Sequence, residues 1–405
     1  MISVEAAKKK ILSSIKPLSV ENIPLIEAVN RVLGKEFKSL ISNPPADISS
    51  MDGYAIIAKD VKQNNKILKI IASSPAGKPT KKIIKEGEAI RVFTGSIIPK
   101  GADTVVIQEN VTKINDTIII NVKIKYGENI RKKSMDFSKG SAFPIMKGKV
   151  LKAQDLALAA AMNKPIITVQ KKPNVAIIST GDEIIELGES VKKNKIISSS
   201  NLAISSIISN VGGNPVYLGN AGDNEIQIKR KIKESLKYDL IVTIGGMSVG
   251  DHDLVRPTLK NFGLKTYFWK VAMRPGKPLM YGKIQNIPLL GLPGNPVSAI
   301  VCTFLFIIPI INKLLGKKNI ITPICSATLA NDLPKNDSRQ DYIRGYFIKG
   351  KKNEKIVSPF DKQDSSMLSI LSTADCLIIR KPYAKVALKG DSVKILKIRD
   401  LNLFI

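Results

Sequence analysis

The sequence predicts a multidomain α/β protein whose central three-layer domain contains a mostly parallel sheet. From about Asn174 onward, apolar β-branched runs alternate with helix-like segments, as they do in a parallel sheet with right-handed crossovers. Two of these runs, ending near Ser179 and Ile244, pass directly into glycines, hydroxyls and carboxylates. Ligands bind at the carboxyl ends of strands in open α/β sheets. The same runs therefore predict a binding site at one rim of the sheet.

Four regions are predicted along the chain. Residues 1–43 and 137–170 form a helical linking domain, with Ser3 capping the first helix, a second helical segment near 25–33 and a third over 149–162. Residues 44–136 form an inserted β-rich domain, because short apolar runs there are separated by glycine and proline turns. Residues 171–318 form the α/β domain, and residues 319–405 form a C-terminal β-barrel-like domain.

Acidic residues follow the strands of the α/β domain. Helix 201–212 and strand 215–218 lead to Asp223, which is predicted to cap the charged helix that ends near Lys237. Four carboxylates should then project from one rim, where a hard cation such as Mg²⁺ finds the oxygen ligands it prefers. For each acid taken singly, a cap or a solvated turn remains the alternative. The four are Glu183, Asp223, Asp251 and Asp253.

Two rigid loops farther along the chain are suited to anions. In the first, Arg274 and Lys277 flank a Pro-Gly turn and offer a guanidinium and an ammonium group. In the second, Asn295 is predicted as a helix N-cap and Pro296 as the first helical residue, behind a glycine turn. The alternative is that these Pro-Gly turns only connect secondary-structure elements, in a chain that has 22 prolines, and bind no ligand.

Composition excludes several classes of protein. The net charge of +29 comes mostly from lysines spread along the chain, and only 5% of residues are aromatic, so we interpret the charge as compositional bias and expect no nucleic-acid partner. Cys302, Cys325 and Cys376 are isolated, which argues against structural zinc and disulfides and favours a cytoplasmic location. The first ten residues lack the apolar core of a signal peptide. The apolar run 299–311 is too short to span a bilayer, so it predicts a buried helix and no membrane partner.

Four motifs of the α/β domain resemble those of the molybdopterin molybdenumtransferase (MoeA) family, which includes the E domain of gephyrin. They are Ser179–Glu183, Gly245–Asp253, Arg274–Pro278 and Leu292–Ser298. The amino-terminal half carries further segments that resemble this family, in the family's order. These are Ser50–Ala55, Phe93–Gly95, Pro99–Val106 and Glu128–Arg131 with Asp136, so that the resemblance covers essentially the whole chain.

The resemblance implies an activity and its partners. The family inserts molybdenum from molybdate into adenylylated molybdopterin and releases AMP, with Mg²⁺, in the last step of molybdenum cofactor biosynthesis. It also implies an elongated homodimer, with the inserted β-domain of one subunit near the α/β crevice of the other. Contacts with molybdopterin adenylyltransferase and with apo-molybdoenzymes follow from the same resemblance.

The resemblance also assigns site residues by motif position. Asp223 and Asp253 would hold the metal. Catalytic roles fall to Asp52, Thr94, Glu183, Arg274 and Lys277. Substrate-binding roles fall to Thr180, Gly181, Asp182, Gly245, Gly246, Ser248, Asp251, Pro293, Gly294, Asn295, Arg131, Asp136, Arg344 and Ser365.

From the residues alone, some of these assignments have alternatives. Asp52 could only cap a tight turn, Arg344 could be an ordinary charge on a strand surface, and Arg131 could pair with Asp136. Two positions depart from the family pattern: Arg274 stands where lysine is usual, and Asp364 stands where glycine is usual beside Ser365.

Two other functions remain open at the level of sequence. A molybdopterin adenylyltransferase is one, because the α/β domain alone resembles that enzyme. A scaffold that binds cofactor or partner without turnover is the other, as gephyrin's neuronal role shows. The amino-terminal motifs and the C-terminal β-domain favour the transferase. His252 is the only histidine and is interpreted as a spacer, so a Ser-His-Asp or Cys-His mechanism has no basis here.

Overall fold

A computed structural model describes residues 1–61, 66–191, 193–246, 255–349 and 354–399. The predicted site residues Ser248, Asp251 and Asp253 lie outside these ranges, as does His252, and their roles stay predictions. In chain order, the first 170 residues contain α1 (Val4–Ser13), β1 (Val20–Pro24), β2 (Ile48–Ser49), β3 (Gly53–Ile56), β4 (Ile67–Ser74), β5 (Glu88–Val92), β6 (Thr104–Ile107), β7 (Val111–Ile114), β8 (Thr117–Ile120), β9 (Ile130–Arg131), α2 (Ala153–Ala161) and β10 (Ile166–Gln170). Short 3₁₀ helices lie at Leu25–Glu27, Ala58–Val61 and Gln108–Asn110.

The remaining elements form the central and C-terminal regions. The central region contains β11 (Asn174–Ser179), β12 (Ile184–Ile185), β13 (Ile196–Ile197), α3 (Ser200–Asn210), β14 (Asn214–Asn220), α4 (Glu225–Ser235), β15 (Leu240–Ile244), α5 (Val255–Asn261), β16 (Lys265–Trp269), β17 (Met273–Arg274), β18 (Met280–Ile284), β19 (Ile287–Leu292), α6 (Pro296–Cys302), a π-helical turn (Thr303–Ile307) and α7 (Ile308–Leu314). The C-terminal region contains β20 (Cys325–Leu329), β21 (Gln340–Lys349), β22 (Lys355–Pro359), α8 (Leu368–Thr373), β23 (Cys376–Arg380) and β24 (Ser392–Lys397).

The central sheet has the order β14-β11-β15-β19-β18-β16, in which β18 runs antiparallel to its two neighbours and the other five strands run in one direction. Strands β11 and β15 are almost entirely buried because helices cover both faces. One face packs against α3, α6 and α7, and the other packs against α4 and α5. The predicted three-layer α/β domain is thereby confirmed.

The chain changes direction across this sheet. It leaves β11 through α3 to the edge strand β14, and then returns through α4 to β15 on the other side of β11. A topological switch point therefore lies between β11 and β15. In open α/β sheets this is the position where a crevice opens at the carboxyl ends of the strands.

The predicted apolar helix is continuous from Pro296 to Leu314, through the π-helical turn. Its length and composition are those of a membrane-crossing helix, yet 94% of its most apolar stretch is buried in protein. It packs between the central sheet and α1 as a core helix, which is the buried position that the sequence predicts.

The linking region is less helical than predicted. Helix α1 begins where Ser3 accepts a hydrogen bond from the Ala6 N–H, which confirms the predicted cap. However, the buried side chains of α1 join the core of the central sheet. The segment predicted as helical near 25–33 contains only the 3₁₀ turn Leu25–Glu27, and the preceding residues form β1, which pairs antiparallel with β10. That prediction was wrong, because Val32 and Leu33 bridge to the distant residues Val150 and Val169, and such pairing overrides local helix propensity.

The inserted region is β-rich, as predicted. Its sheet has the order β6-β3-β5-β4-β8-β7, and the short pair β2-β9 lies beside it. Gly53 permits the close approach of β3 to β6, because a Cβ there would lie 1.9 Å from the Val106 carbonyl oxygen. The Ser50–Ala55 motif thus has a packing requirement at its glycine, in addition to any role of its neighbour Asp52.

The C-terminal region closes into a five-stranded barrel. The strands follow the order β21-β22-β20-β24-β23, and pairing of β23 with β21 closes the circle. The short strand β17 of the central region adds to β21 and joins the barrel to the α/β domain. The predicted β-barrel-like domain is therefore confirmed.

Candidate active site at the carboxyl edge of the central sheet

A crevice of about 620 Å³ opens at the carboxyl ends of β11, β15 and β19. Its floor is made of the turns that follow these strands, at the topological switch point of the sheet. The predicted residues on its walls are Thr180, Gly181, Glu183, Asp223, Gly245, Gly246, Pro293, Gly294 and Asn295. The structure therefore brings together most of the predicted α/β residues that lie in the described ranges.

Glycines form the floor because two turns pack against each other. A Cβ on Gly245, whose φ is +86°, would lie 2.9 Å from the Thr180 carbonyl oxygen. A Cβ on Gly246 would lie 2.2 Å from a side-chain carbon of Val255. Thr180 ties the same turns together, because its N–H and its hydroxyl both donate to the Ile244 carbonyl at 3.0 and 3.2 Å. Close packing leaves main-chain groups at the surface, where a ligand can approach them.

Two aspartates at the rim hold each other through the main chain. The Asp223 N–H donates to Asp182 Oδ1 at 2.8 Å, and the Asp182 N–H donates to Asp223 Oδ2 at 3.3 Å. The prediction that Asp223 is the N-cap of α4 was therefore wrong. Asn224 has that position and accepts from the Gln227 N–H at 3.1 Å. Because the helix begins one residue later than predicted, the Asp223 carboxylate contacts the crevice turn at Asp182 and does not cap the helix.

The third rim carboxylate, Glu183, folds back over Gly181. A Cβ on Gly181 would lie 2.5 Å from Glu183 Oε2, so the absence of a side chain at 181 sets where this carboxylate lies. The turn is fixed by Asn220, which donates to the Gly181 carbonyl at 3.0 Å and to the Ile184 carbonyl at 3.1 Å. The sequence does not predict the role of Asn220, because that role depends on the pairing of β14 with β11.

The rim offers the donors that Mg²⁺ prefers. Asp182, Glu183 and Asp223 supply only carboxylate oxygens, and Mg²⁺ is bound by one or two carboxylates together with phosphate oxygens and water. Among the described residues, no three acidic, histidine or cysteine side chains gather closely enough to enclose a metal ion without such help. This donor set fits a cation that is shared with a phosphorylated substrate.

A wall of hydroxyl groups faces the rim acids, and the motif reasoning missed most of it. Ser198, Ser199 and Ser200 line the crevice where α3 begins, and Ser298 lines it in the first turn of α6. Ser199 holds the N-cap position of α3, yet its hydroxyl makes no capping bond. Free N–H groups at helix starts attract anions. Three consecutive serines before an apolar helix are a capping signal that would have identified this wall.

A loop from the barrel covers one end of the crevice. The predicted cap Asn295 stands directly before Pro296, the first residue of α6, but its side chain makes no cap. Instead it donates to the Ser365 hydroxyl at 2.9 Å, and the Val297 N–H donates to the Ser365 carbonyl at 3.3 Å. Ser366 lines the crevice beside this contact. The predicted Ser365 is thus at the site through its contact with Asn295.

Arg344 holds this loop in place. Its side chain is only 2% exposed, so the alternative of an ordinary surface charge is wrong. The guanidinium donates to Gln363 Oε1 at 3.2 Å and to the main-chain carbonyls of Asp364 and Met367 at 3.0 and 3.3 Å. Burial lowers the pKa of Arg344, and the Asp364 carboxylate opposes that change. Arg344 therefore positions the loop from behind.

The unusual acid Asp364 binds its own loop. Its Oδ1 accepts from the Ser366 N–H at 2.8 Å and from the Ser366 hydroxyl at 2.6 Å. These hydrogen bonds hold the pKa of the Asp364 carboxyl below its usual range. The carboxylate thereby orders the residue that lines the crevice.

The predicted cations Arg274 and Lys277 lie outside the crevice walls in the described part of the chain, although Pro278 lines them. Arg274, on β17, makes a bidentate contact with Asp341 at 2.9 and 2.8 Å and lies 3.4 Å from Asp337. Asp341 raises the pKa of the guanidinium. Lys277 is exposed. Any oxyanion bound by Arg274 would compete with Asp341.

None of the four predicted residues of the amino-terminal half lines the crevice of the same chain. Asp52 Oδ1 accepts from the N–H and the hydroxyl of Thr94 at 2.8 and 2.9 Å, and these bonds lower the pKa of Asp52. Arg131 is exposed on β9. Asp136 accepts from the Asn43 amide at 3.1 Å. The pairing of Asp52 with Thr94 forms an exposed unit on the inserted domain.

Three protein-family models match this chain along most of its length. The MoeA N-terminal region (domains I and II) matches residues 2–163, a probable molybdopterin-binding domain matches residues 176–313, and the MoeA C-terminal region (domain IV) matches residues 326–398. The second model contains the crevice, and the first and third contain the inserted domain and the barrel.

Curated relatives and solved structures agree with these models. The molybdopterin molybdenumtransferase of Haemophilus influenzae is 32% identical over 98% of both chains. That of a Nostoc species is 34% identical over 80% of this chain and 76% of its own. A crystal structure of the molybdopterin biosynthesis MoeA protein of Pyrococcus horikoshii covers 98% of this chain and 99% of its own, with 27% identity and a TM-score of 0.86. The chain therefore belongs to the MoeA family of molybdopterin molybdenumtransferases.

Proposed function

We propose that this protein inserts molybdenum from molybdate into adenylylated molybdopterin and releases AMP, in the last step of molybdenum cofactor biosynthesis. The observation that carries the proposal is the crevice, where rim carboxylates face a wall of hydroxyls and two helix starts. A substrate with a pyrophosphate and a second oxyanion needs both surfaces. Relatives that carry the transferase name span nearly the whole chain.

The phosphates of the substrate would lie against the hydroxyl wall. Main-chain N–H groups at the start of α3 and the Ser198, Ser199 and Ser298 hydroxyls would donate to phosphate or molybdate oxygens, whereas the Val297 N–H at the start of α6 is held by the Ser365 carbonyl. Molybdenum insertion forms two Mo–S bonds to the dithiolene, and one molybdate oxygen leaves as water with the two thiol protons. Cleavage breaks the phosphoanhydride bond, AMP leaves with its own phosphate, and an oxygen from molybdate or water completes the phosphate that stays on the pterin. The loop held by Arg344 would shield this reaction from bulk water.

The rim acids would hold a magnesium ion. Asp223, together with Asp253 from outside the described residues, would bind it, with Glu183 and Asp182 beside the substrate. When bound, Mg²⁺ would neutralise the phosphate charge and stabilise the leaving AMP. Asp182 and Asp223 are already fixed to each other, so their carboxylates need little reorganisation.

A second copy of this chain would complete the site. In this proposal the exposed Asp52–Thr94 pair, with Arg131 and Asp136, reaches the crevice of the partner subunit of a homodimer. Arg274 and Lys277 would supply positive charge at the outer edge of the site. A cytoplasmic location and contacts with molybdopterin adenylyltransferase and apo-molybdoenzymes belong to the same proposal.

The test is molybdate-dependent AMP release from adenylylated molybdopterin by the purified protein with Mg²⁺ and micromolar molybdate. We expect Asp223→Asn to lower turnover by about a hundredfold, because a rim ligand is lost. Asp239→Asn is the matched control, since Asp239 binds the Asn174 N–H at the opposite edge of the same sheet. Absence of AMP release in the unaltered protein would overturn the proposal, and ATP-dependent adenylylation of free molybdopterin would indicate the adenylyltransferase.

A further inference from the structure

A second cavity, of about 370 Å³, lies between the linking region and the central domain. Its walls come from residues 148–152, from the ends of α3 and α7, and from the connector 319–323 that leads to the barrel. It shares no wall residue with the crevice. We call it the lysine cavity, because its charged wall residues are Lys149, Lys152, Lys317 and Lys318.

No acidic side chain stands on the described walls of the lysine cavity. The C-terminal ends of two helices offset part of the positive charge. The Lys317 ammonium donates to the Val211 carbonyl at the end of α3, and the Lys317 main-chain N–H donates to the Asn312 carbonyl at the end of α7. A helix C-terminus carries about half a negative charge. Two such ends offset about one of the four ammonium charges, so an excess of positive charge remains.

The pKa of Lys317 reflects its burial first and this excess of charge second. Burial, together with repulsion from Lys152, lowers the pKa of Lys317 to about 8. The titratable groups on the described cavity walls are the four lysines alone. An anion among them would remove the repulsion and favour the charged ammonium.

Two polar atoms on the same walls are buried without a partner in the described part of the chain. Asn312 and Thr322 are each 8% exposed, and neither Asn312 Oδ1 nor Thr322 Oγ1 has a hydrogen-bond partner. The Asn312 amide is oriented by its bond to the Ile320 carbonyl at 3.0 Å, which leaves Oδ1 as the acceptor. Buried polar atoms are nearly always satisfied, so these two indicate a bound group. Both atoms are covered by protein, so a bound group would reach them once their side chains rotate; the Asn312 oxygen would then accept from it and the Thr322 hydroxyl would donate to it.

We propose that the lysine cavity binds a small phosphate monoester that carries a hydroxyl group. Its phosphate would lie among the lysines and accept from Thr322, and its hydroxyl would donate to Asn312 Oδ1. The volume is within the range of small-molecule sites. A phosphate suits walls that supply cations from two directions, because it presents oxygens on all sides.

The test is isothermal titration of the full-length protein with glycerol 3-phosphate, a phosphate monoester with two hydroxyls. We expect one site with a dissociation constant below about 1 mM, weakened at least tenfold by Lys317→Met. Lys313→Met is the matched control, because it removes the same charge from the same end of α7 without touching the cavity wall. Lys149→Met, at an exposed wall residue, serves as a second cavity variant should Lys317→Met disturb folding.

Two further titrations establish where the ligand binds and which anion the lysine cavity prefers. Asp223→Asn should leave binding unchanged, because the crevice is a different cavity; loss of binding there would place the ligand in the crevice and overturn the proposal. Citrate should bind at least tenfold more weakly than glycerol 3-phosphate. Tighter binding of citrate would mean that the cavity prefers a polycarboxylate to a phosphate monoester, which would overturn the proposal. If Lys313→Met and Lys317→Met weakened binding of glycerol 3-phosphate equally, the binding would reflect general charge attraction and not the cavity. Absence of measurable binding would also overturn the proposal.

Discussion

The crevice and the lysine cavity differ in what their charged groups bind. In the crevice, Asp182 and Asp223 accept hydrogen bonds from each other's main chain, and Asp364 orders its own loop. In the lysine cavity the charged wall residues all have one sign, and three of them donate to neutral partners: Lys317 to a main-chain carbonyl, Lys152 to Asn30 Oδ1 and Lys318 to Met146 Sδ. The first site is arranged before a ligand arrives, whereas the second is relieved of repulsion when one binds.

This difference has a general physical basis. Charges that are held by hydrogen bonds need little reorganisation when a transition state forms, which favours catalysis. Like charges gathered without an acidic partner lower the stability of the folded protein and return that free energy on binding, which favours recognition. The two cavities can therefore be distinguished by which substitutions alter turnover and which alter stability.

The largest effect is expected from Arg344→Met. Its guanidinium satisfies the carbonyls of Asp364 and Met367, so its loss should destabilise the barrel by about 3 kcal/mol and free the loop that covers the crevice. We expect the KM for adenylylated molybdopterin to rise at least tenfold. Urea denaturation and steady-state kinetics measure the two effects.

Arg380→Met is the matched control for that experiment. Arg380 is the other buried arginine of the barrel among the described residues, and it donates to the carbonyls of Pro334 and Lys385, away from the crevice. A similar loss of stability with an unchanged KM is expected. An equal rise in KM would mean that general weakening of the barrel, and not the covering loop, disturbs the crevice.

A smaller effect is expected from Gly181→Ala, which replaces none of the acidic residues of the rim. The new Cβ would lie 2.5 Å from Glu183 Oε2 and would push that carboxylate aside. We expect kcat/KM to fall about thirtyfold, which corresponds to about 2 kcal/mol. The measurement is the rate of molybdate-dependent AMP release.

Gly188→Ala supplies the control for the backbone strain. Gly188 also has a positive φ, of +95°, but a Cβ there would meet nothing within 4 Å. It should lower stability by about 1 kcal/mol and leave kcat/KM within about twofold. If both alanine variants lost activity alike, the position of Glu183 would not matter to the reaction.

The two cavities also differ in how far the sequence predicts them. The crevice can be predicted from the sequence because glycines and acidic residues follow β-branched strands, and the carboxyl ends of strands in a parallel sheet meet at one edge. The lysine cavity is assembled from three distant segments, and its four lysines do not stand out among 63 basic residues. A residue type predicts a site only where it is uncommon in the rest of the chain, and lysine is common throughout this chain.

Within the crevice, the unpredicted features all depend on distant partners. Arg274 was predicted to bind an oxyanion, but Asp341, far along the chain, occupies its guanidinium. Asn220 fixes the turn at Gly181 only because β14 pairs with β11. Local patterns identify strand ends and caps, whereas the partner of a long polar side chain is set by tertiary packing.

The last and smallest effect concerns the lysine cavity itself. Because burial lowers the pKa of Lys317 from 10.5 to about 8, the unfolded chain binds this proton more tightly than the folded one. The charged lysine therefore costs stability below about pH 8, and the cost is removed as pH rises from about 8 through 10.5. Lys317→Met should stabilise the protein by about 1 kcal/mol at about pH 7, after the lost bond to Val211 is subtracted from a larger gain.

The pH dependence separates this account from a simple packing effect. The advantage of Lys317→Met over the unaltered protein should shrink between about pH 8 and pH 10, as measured by urea denaturation, because the unaltered lysine then loses its proton in the folded state. Lys313→Met, outside the cavity wall, should show no such trend. A stabilisation that stays constant across this range would mean that methionine only packs better, and that the charged Lys317 ammonium carries no cost in the folded protein.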